Sequence, residues 1–555
     1  MTPNRQNAGL PALLAGLAAI FCSSLTVVEA ADPLDEIVVT SQRRAQPLYE
    51  HAGNIERLDA ETLAAVRHQH IHELLTRIPG VWLSRGSGQE HLTAIRSPVL
   101  TGAGSCGAFL YLEDGIPIRP SGFCNVNALL EVNTEQAHSI EVIRGPGNAL
   151  YGSNALHGIV NTLMPSPATA RGPQVGLELG ANDYVRARVE LPFDTEANWL
   201  AALVHADDGG FREATGDRQS KLHRKHRWEL TDGTFTAALT ATDLDLETAG
   251  FILGEDAYKD PDLNRSNPNP EAFREAQSFR AYGIWTRSGE RIDLDIRPFV
   301  RHSDMDFLQH FLPGKPLEQN GHDSAGVLAA LHFGNDARQA TVGVDLEWAD
   351  IFLKQTQDEP TQGSAFLQAT RPVGKHYDYT VTSLGLAPYV QSEFSINERL
   401  TLGAGLRLEY IDYDYDNRML DGNTRDDGTE CGFGGCLYTR PADRSDSFTN
   451  VAPKLNLGYR LGEASRLYAS LARGFRAPQA TELYRLQSGQ QVADLDSERL
   501  DSFELGLRAG SANTFLDVAL FAMKKAESVF RDAEGFNVSG AKTTHRGIEI
   551  GLDWQ

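Results

Sequence analysis

From about residue 170 to the end of the chain, apolar and polar side chains alternate with a period of two, the spacing of strands with two unlike faces. Between 400 and 410 the even positions are Leu400, Leu402, Ala404, Leu406, Leu408 and Tyr410; the odd ones are Thr401, Gly403, Gly405, Arg407 and Glu409. Phe503, Leu505 and Leu507 alternate in the same way with Glu504, Gly506 and Arg508. A soluble sandwich could carry this pattern, but the connections argue for another architecture. One set is short, as at Asp232-Gly233, Gly334-Asn335-Asp336 and Asn397-Glu398. The other is long and polar: Gly209–Leu222, Glu247–Gln277, Asp304–Asp323, Lys354–Thr382, Asp416–Ser445, Pro478–Glu498 and Glu527–Thr543. The two sets take turns along the chain, which predicts a transmembrane antiparallel β-barrel of the outer-membrane kind over residues 170–555. Roughly sixteen strands can be counted, against about 22 for a barrel wide enough to hold a plug. The last pattern, Ile548–Gln555, lacks a terminal aromatic strand end. The expectation is therefore a 22-stranded type of barrel with about sixteen strands present and the C-terminal ones missing.

The pattern upstream, over residues 46–168, is different. Leu63, Val66, His70, Leu74 and Ile78 recur every three to four residues, with Asp59 placed to cap and Pro79-Gly80 to stop, so Asp59–Arg77 predicts one helix. Short strands are predicted at Val81–Leu83, Leu92–Arg96, Phe109–Leu112 and Ile116–Ile118. The segment Ser139–Leu163 closes the unit: a strand at Ile140, Val142 and Ile143, the turn Arg144-Gly145-Pro146-Gly147, and a second apolar run from Ile159 to Leu163. Together these make a small α/β domain, handed to the barrel through Pro165 and Pro167. On the predicted helix His68 and His72 share a face, but Gln69 stands where a zinc protease has Glu, so the histidines read as a polar face. The turn at Arg144 lacks the Gly-Lys-Ser/Thr of a phosphate loop.

Residues 1–30 read as a signal peptide: Arg5, an apolar core at Leu10–Phe21, and small residues ending at Ala30. Export changes the meaning of the cysteines. Cys22 leaves with the signal, and Cys106, Cys124, Cys431 and Cys436 then predict two local disulfides. Cys106–Cys124 would stabilise by roughly 3 kcal/mol. Neither pair has the further ligands a metal would need, so no metal or cofactor is expected. A formal net charge of −23 counts against nucleic-acid binding. No nucleophile, base and orienter come together in the sequence, so an enzyme is not expected. Residues 31–45 contain Asp35, Glu36, Ile37, Val38, Val39, Thr40 and Ser41, a run of high β-propensity. It suits either a first strand of the next domain or a tail that adds a strand to a partner.

Taken in order, these segments resemble the TonB-dependent outer-membrane receptors over essentially the whole chain. DEIVVTS at Asp35–Ser41 is similar to a TonB box. LLTRIPGV at Leu74–Val81, LTAIRS at Leu92–Ser97, LYLEDGIPI at Leu110–Ile118 and IEVIRGPGNALYGSNALHGIVN at Ile140–Asn161 are similar to plug motifs. GFRAPQATELY at Gly474–Tyr484, FELGLR at Phe503–Arg508 and HRGIEI at His545–Ile550 are similar to barrel motifs. The resemblance implies import of a scarce ligand across the Gram-negative outer membrane, with TonB as periplasmic partner and with lipid and lipopolysaccharide around the wall. It implies a plug–barrel lock of Arg96 and Arg144 against Glu482 and Glu504. It also tilts residues 35–41 towards the partner-binding tail.

Three plug loops are expected to face outward, Arg85–Gln89, Ser97–Gly107 and Pro117–Asn127, the last two stapled by Cys106–Cys124. Arg119, Phe123 and Asn125 are the candidate ligand contacts, arginine for an anionic ferric chelate and phenylalanine for an aromatic one. A ferric siderophore is the default ligand that the family implies. Haem, cobalamin or a glycan are alternatives; haem is disfavoured because the His and Asn-Pro-Asn-Leu that should follow Phe475-Arg476-Ala477-Pro478 are absent before Glu498. A passive channel or adhesin would need neither plug nor box.

Overall fold

The computed structural model describes residues 38–39, 46–48, 51 and 53–554, apart from 103, 148, 168, 171, 194–197, 336, 488 and 512–513. The expected signal peptide lies outside them. At the N-terminus β1 (Val38–Val39) pairs antiparallel with β2 (Gln46–Pro47). Then come β3 (Ile55–Leu58), helices α1 (Ala60–Val66) and α2 (His72–Leu75), and the hairpin of β4 (Val81–Arg85) and β5 (His91–Ile95). The remaining strands are β6 (Phe109–Glu113), β7 (Ile116–Pro117), β8 (Ser139–Arg144) and β9 (Gly158–Leu163). The plug sheet has the order β3-β8-β9-β6-β7, with β6 and β9 parallel. Its second strand β8 is buried throughout, and Val142 and Val160 pack with Leu74, Leu83, Ile95 and Leu129.

The one helix predicted over Asp59–Arg77 is two. Asp59 caps α1 by accepting from the Thr62 amide at 2.8 Å. The helix ends at Arg67, whose φ of +47° is left-handed. Tertiary contacts outweigh the apolar period here. His68 bonds Thr134 Oγ1 at 3.0 Å, His70 bonds the Glu90 carbonyl at 3.1 Å, and both are buried. They are core residues and not the polar face that the spacing suggested. The carbonyls freed by the break are taken by Arg186 of the wall, which donates to Arg67 O at 3.0 Å and His68 O at 2.5 Å.

The wall is one antiparallel sheet of sixteen strands, from β10 (Gln174–Leu179) to β25 (Asn537–Trp554), each hydrogen-bonded to the next in chain order. Among the described residues β10 and β25 do not pair with each other. Its alternation is inverted relative to a protein dissolved in water. In the strand Leu400–Asn417, Leu402, Leu406, Leu408 and Tyr410 are 39–47% exposed, while Arg407 and Glu409 are 5% and 4% exposed. Charges buried behind an exposed leucine face require hydrocarbon outside and a polar lumen inside. Near the short turns, Phe193 stacks on Trp199 and His226 on Trp228, the aromatic girdle of a membrane interface.

The plug fills the lumen and is tied to it around the wall. Glu113 pairs with Arg280 at 2.9 Å, Asp114 with Lys225 at 2.7 Å, and the Ser153 amide donates to Glu409 at 3.1 Å. Lys225 and burial act in opposite directions on Asp114: burial raises its carboxyl, and Lys225 with its neighbours brings it below the usual range.

Candidate functional site between plug and wall

The turn after β8 carries the first element of the site. Gly145, at φ +90°, reverses the chain directly after Arg144. Arg144 is buried; it donates to the Pro79 carbonyl at 2.5 Å and lies 3.4 Å from Glu56 and 3.6 Å from Glu549. Beside it stands Arg96, directly after β5 and in the left-handed region at φ +49°. Arg96 meets two wall carboxylates, Glu504 at 2.5 Å and Glu549 at 2.6 Å, and its guanidinium lies 4.3 Å from the centre of the Phe521 ring. Burial alone would lower the Arg96 pKa, but Glu504 and Glu549 more than offset it and hold the group above its ordinary value. A glycine makes the approach possible: a Cβ on Gly80, itself at φ +77°, would fall 2.0 Å from Glu549 Oε1.

The structure thus brings Arg96, Arg144 and Glu504 together, adds Glu549, and removes Glu482 from the set. Glu482 pairs with Arg476 of its own wall segment at 2.6 Å and 3.0 Å, and Arg476 also holds Glu498 at 2.8 Å. The physical reason is distance along the barrel. Glu482 sits in α4 (Ala480–Leu483), which follows α3 (Ala365–Thr370) in the long connections, whereas Arg96 and Arg144 face strands deeper in the lumen.

Glu482 still touches the plug: its carboxylate lies so close over Gly104 that a Cβ there would fall 2.2 Å from Cδ. Its carboxylate accepts from the Gln479 amide at 2.8 Å and fixes that residue at the start of α4. Gln479 then joins two plug segments: its Oε1 accepts from Cys124 N at 3.1 Å, and its Nε2 donates to Asn154 Oδ1 at 3.3 Å. Close by, the Ala480 amide donates to Gly122 O at 2.8 Å. The sequence offered Gln479 only as one letter of the motif at Gly474–Tyr484.

Cys106 is bonded to Cys124, and Cys431 to Cys436. The three candidate ligand contacts on the stapled loop are all buried. Arg119 spends its charge on Glu131 at 2.5 Å and also donates to Ser303 at 2.8 Å. Phe123 packs with Tyr413, Cys431, Cys436, Tyr438 and Tyr484 under the long connections. Asn125 is turned into the lumen against Met305 Sδ at 3.7 Å. None of them presents a surface to the outside, so the expectation of three exposed contacts is corrected: the wall connections roof the apex.

The roof itself is a buried cluster of aromatic rings with arginines beside it. Tyr415 stacks on Tyr484 at 4.3 Å, Tyr379 lies 5.3 Å from Tyr415, and His376 stacks on Tyr438 at 4.2 Å. Among the described residues the hydroxyls of Tyr379 and Tyr415 and Nε of Arg371 are buried without a hydrogen-bond partner. Arg485 lies over Tyr377 at 5.8 Å and pairs with Glu318 at 2.7 Å. Burial lowers the Arg371 pKa, Tyr377 opposes that, and the positive charges of Arg485 and Arg531 press it further down. Period-two tyrosines at 377 and 379 and at 413 and 415 were the available signal for this cluster.

Of the proposed box, Asp35, Glu36, Ile37, Thr40 and Ser41 lie outside the described residues. Val38 and Val39 are paired through their backbone with Pro47 and Gln46.

With this geometry in place, comparison with known proteins is informative. The family described as TonB dependent receptor-like, beta-barrel matches residues 175–555, and the TonB-dependent Receptor Plug Domain matches residues 47–159. The vitamin B12 transporter BtuB of Vibrio vulnificus is 24% identical over 503 residues, covering 88% of this chain and 70% of that protein. A pesticin receptor of Yersinia enterocolitica is 24% identical over 450 residues, covering 77% of this chain and 63% of that receptor. Among solved structures, the ferric citrate transporter FecA in its unliganded form superposes with a TM-score of 0.71 at 19% identity, covering 91% of this chain and 75% of that one.

Proposed function

The chain belongs to the TonB-dependent receptors of the Gram-negative outer membrane, and from that premise we propose that it imports an anionic ferric chelate of the siderophore class. The observation that carries the ligand class is the cluster of arginines and tyrosines at the long connections. Arg371, Arg485 and Arg531 act on one another there, Glu318 is the carboxylate paired with Arg485, and tyrosines stack on one another beside them. Guanidinium forks and aromatic faces are the groups that recognise carboxylate-rich and catecholate chelates. In this reading residues 31–45 hold the TonB box at Asp35–Ser41, residues 46–168 are the plug, and residues 170–555 are wall. Arg96 and Arg144 with Glu504 and Glu549 are the lock that keeps the plug seated. Outer-membrane lipid and lipopolysaccharide cover the leucine face.

Cobalamin is the second reading, because similarity to a vitamin B12 transporter extends over 88% of the chain. The two separate by binding. Purified receptor is titrated with ferric citrate, a neutral ferric hydroxamate and cyanocobalamin, and again after Arg485→Ala. The proposal expects the anionic chelate to bind best and to lose about tenfold or more with the arginine, the scale of one charge-assisted hydrogen bond. Saturable binding of cyanocobalamin alone would replace the siderophore reading. Deleting residues 35–40 and testing growth on the chelate as sole iron source tests the energised step; unimpaired growth would overturn it.

A further inference from the structure

Leu48, His51 and Gly53 of the plug are held by a wall side chain that belongs to neither the lock nor the aromatic cluster. Arg508, on the strand Glu498–Ser511, has a side chain 1% exposed. Nε is held by Asp517 at 3.1 Å. The terminal nitrogens donate to three plug carbonyls: Leu48 at 3.0 Å, His51 at 2.5 Å and Gly53 at 2.5 Å. The guanidinium also lies 5.0 Å from the Tyr468 ring centre. Four of the five N–H groups of the fork are thus in use, three of them on main chain. A lysine, with a point charge and no planar fork, could not hold three carbonyls in this arrangement.

We propose that Arg508 is the first side-chain anchor that a pull on residues 35–41 meets in the plug, after the two-residue pairing of β1 with β2 and before the lock and the plug sheet. This rests on the TonB-coupled reading above. Load applied through residues 35–41 first parts the two-residue pairing of β1 with β2. It then arrives at Leu48, the first carbonyl on Arg508. Only beyond Gly53 does it reach Asn54, whose amide side chain donates to Glu549 at 3.2 Å and whose carbonyl accepts from Arg144 N at 3.0 Å. Next comes β3, an edge strand paired in the sheet only with β8. Anchor, lock and edge strand therefore lie in series through Leu48, His51, Gly53, Asn54 and Ile55, and the order of release follows the order of sequence.

The test pulls on the periplasmic domain of TonB bound to the full chain in outer-membrane vesicles and reads the first rupture that follows the parting of β1 from β2. It is accompanied by hydrogen exchange of amides 48–54 in the unloaded receptor. Arg508→Lys is expected to lower the first rupture force and to speed exchange of those amides about tenfold or more, the scale of losing one charge-assisted bond. Glu504→Gln is expected to leave the first rupture in place and to lower a later one. Should Arg508→Met fail to assemble, Arg508→Lys decides, because it keeps the charge beside Asp517. An unchanged first rupture and unchanged exchange in Arg508→Lys would overturn the assignment. Failure of the TonB domain to bind the unaltered chain would overturn the TonB-coupled reading itself, and the anchor with it.

Discussion

Arg96 donates to Glu549 through two nitrogens at once, Nε to Oε1 at 2.9 Å and Nη2 to Oε2 at 2.6 Å, across 453 positions of sequence. The fork joins plug to wall with both partners buried. Such a pair contributes little net stability when whole, yet removing one partner strands a buried charge at a cost of roughly 3–5 kcal/mol. Arg96→Ala should therefore loosen the plug more than Arg144→Ala, whose carboxylate contacts are longer at 3.4 Å and 3.6 Å. The check is permeability of cells expressing each variant to an antibiotic too large for porins. Equal leakage, or a larger effect from Arg144→Ala, would contradict this order.

Gln479 connects one wall connection to two plug segments. Gln479→Ala removes its bonds to Cys124 N and Asn154 Oδ1 and is expected to cost about 1–2 kcal/mol, the scale of ordinary hydrogen bonds. Hydrogen exchange should rise together at residues 121–124 and 153–155 and stay unchanged in β8. A rise confined to one segment would mean that the two are not coupled through this side chain.

The disulfides should differ in weight. Cys106–Cys124 closes a separation of 18 residues and Cys431–Cys436 one of 5. Chain entropy gives about 3 kcal/mol for the first and about 2 kcal/mol for the second. Replacing the first pair by serines should lower the denaturant midpoint of the plug, while replacing the second should affect exchange only around residues 420–440. The reverse ranking would locate the stability of the apex elsewhere.

Three plug histidines make the plug sensitive to acid. Burial is the first cause in each case: it takes His68 down to about 4, His70 to about 3 and His91 to about 4. Glu135 resists the shift at His68; His91 and Arg85 add to it at His70; Lys221 and Arg274 add to it at His91. The native state keeps these rings neutral while the unfolded chain takes up protons below about 6.5. The unfolded state then binds more protons, so plug stability falls as pH drops from about 6.5 towards 4, by up to about 1.4 kcal/mol per unit for each histidine. Hydrogen exchange of residues 60–95 between pH 7 and 5, corrected for its intrinsic rate, should show this loss, and His70→Gln should flatten it. A pH-independent opening free energy would refute the assignment.

Much of the architecture was legible because a membrane wall imposes a period that nothing else in the chain shares. Leu406, Arg407, Leu408 and Glu409 announce their faces by alternation alone, and the connections reveal which ends are which. Arg96, Arg144 and Glu504 came from motifs and meet in space. Glu549 was missed although a signal existed: it stands between Ile548 and Ile550, which are 66% and 61% exposed, while Glu549 is 6% exposed. The break after Arg67 was not legible, because its cause is partners far along the chain, Thr134 and Arg186. The burial of Phe123 was hidden for the same reason. It depends on where connections some three hundred residues later come to rest, and their composition reads equally well as open loops.

The roof over Phe123 also bears on how the receptor meets its cargo in time. Cys431, Cys436, Tyr438 and Leu483 share one apolar cluster with Phe123, so a solute that approaches Phe123 through the long connections must part that cluster. Apparent affinity at the apex is then the intrinsic affinity multiplied by the fraction of molecules that are open; a roof parted about one hundredth of the time weakens binding about a hundredfold. A solute touching the apex alone bears that loss in full. A cargo that also grips the parted roof shifts the population as it binds, and its capture slows to the rate of parting. Discrimination at this mouth is consequently kinetic as well as chemical, and trimming the roof should speed capture while admitting solutes that have no business there.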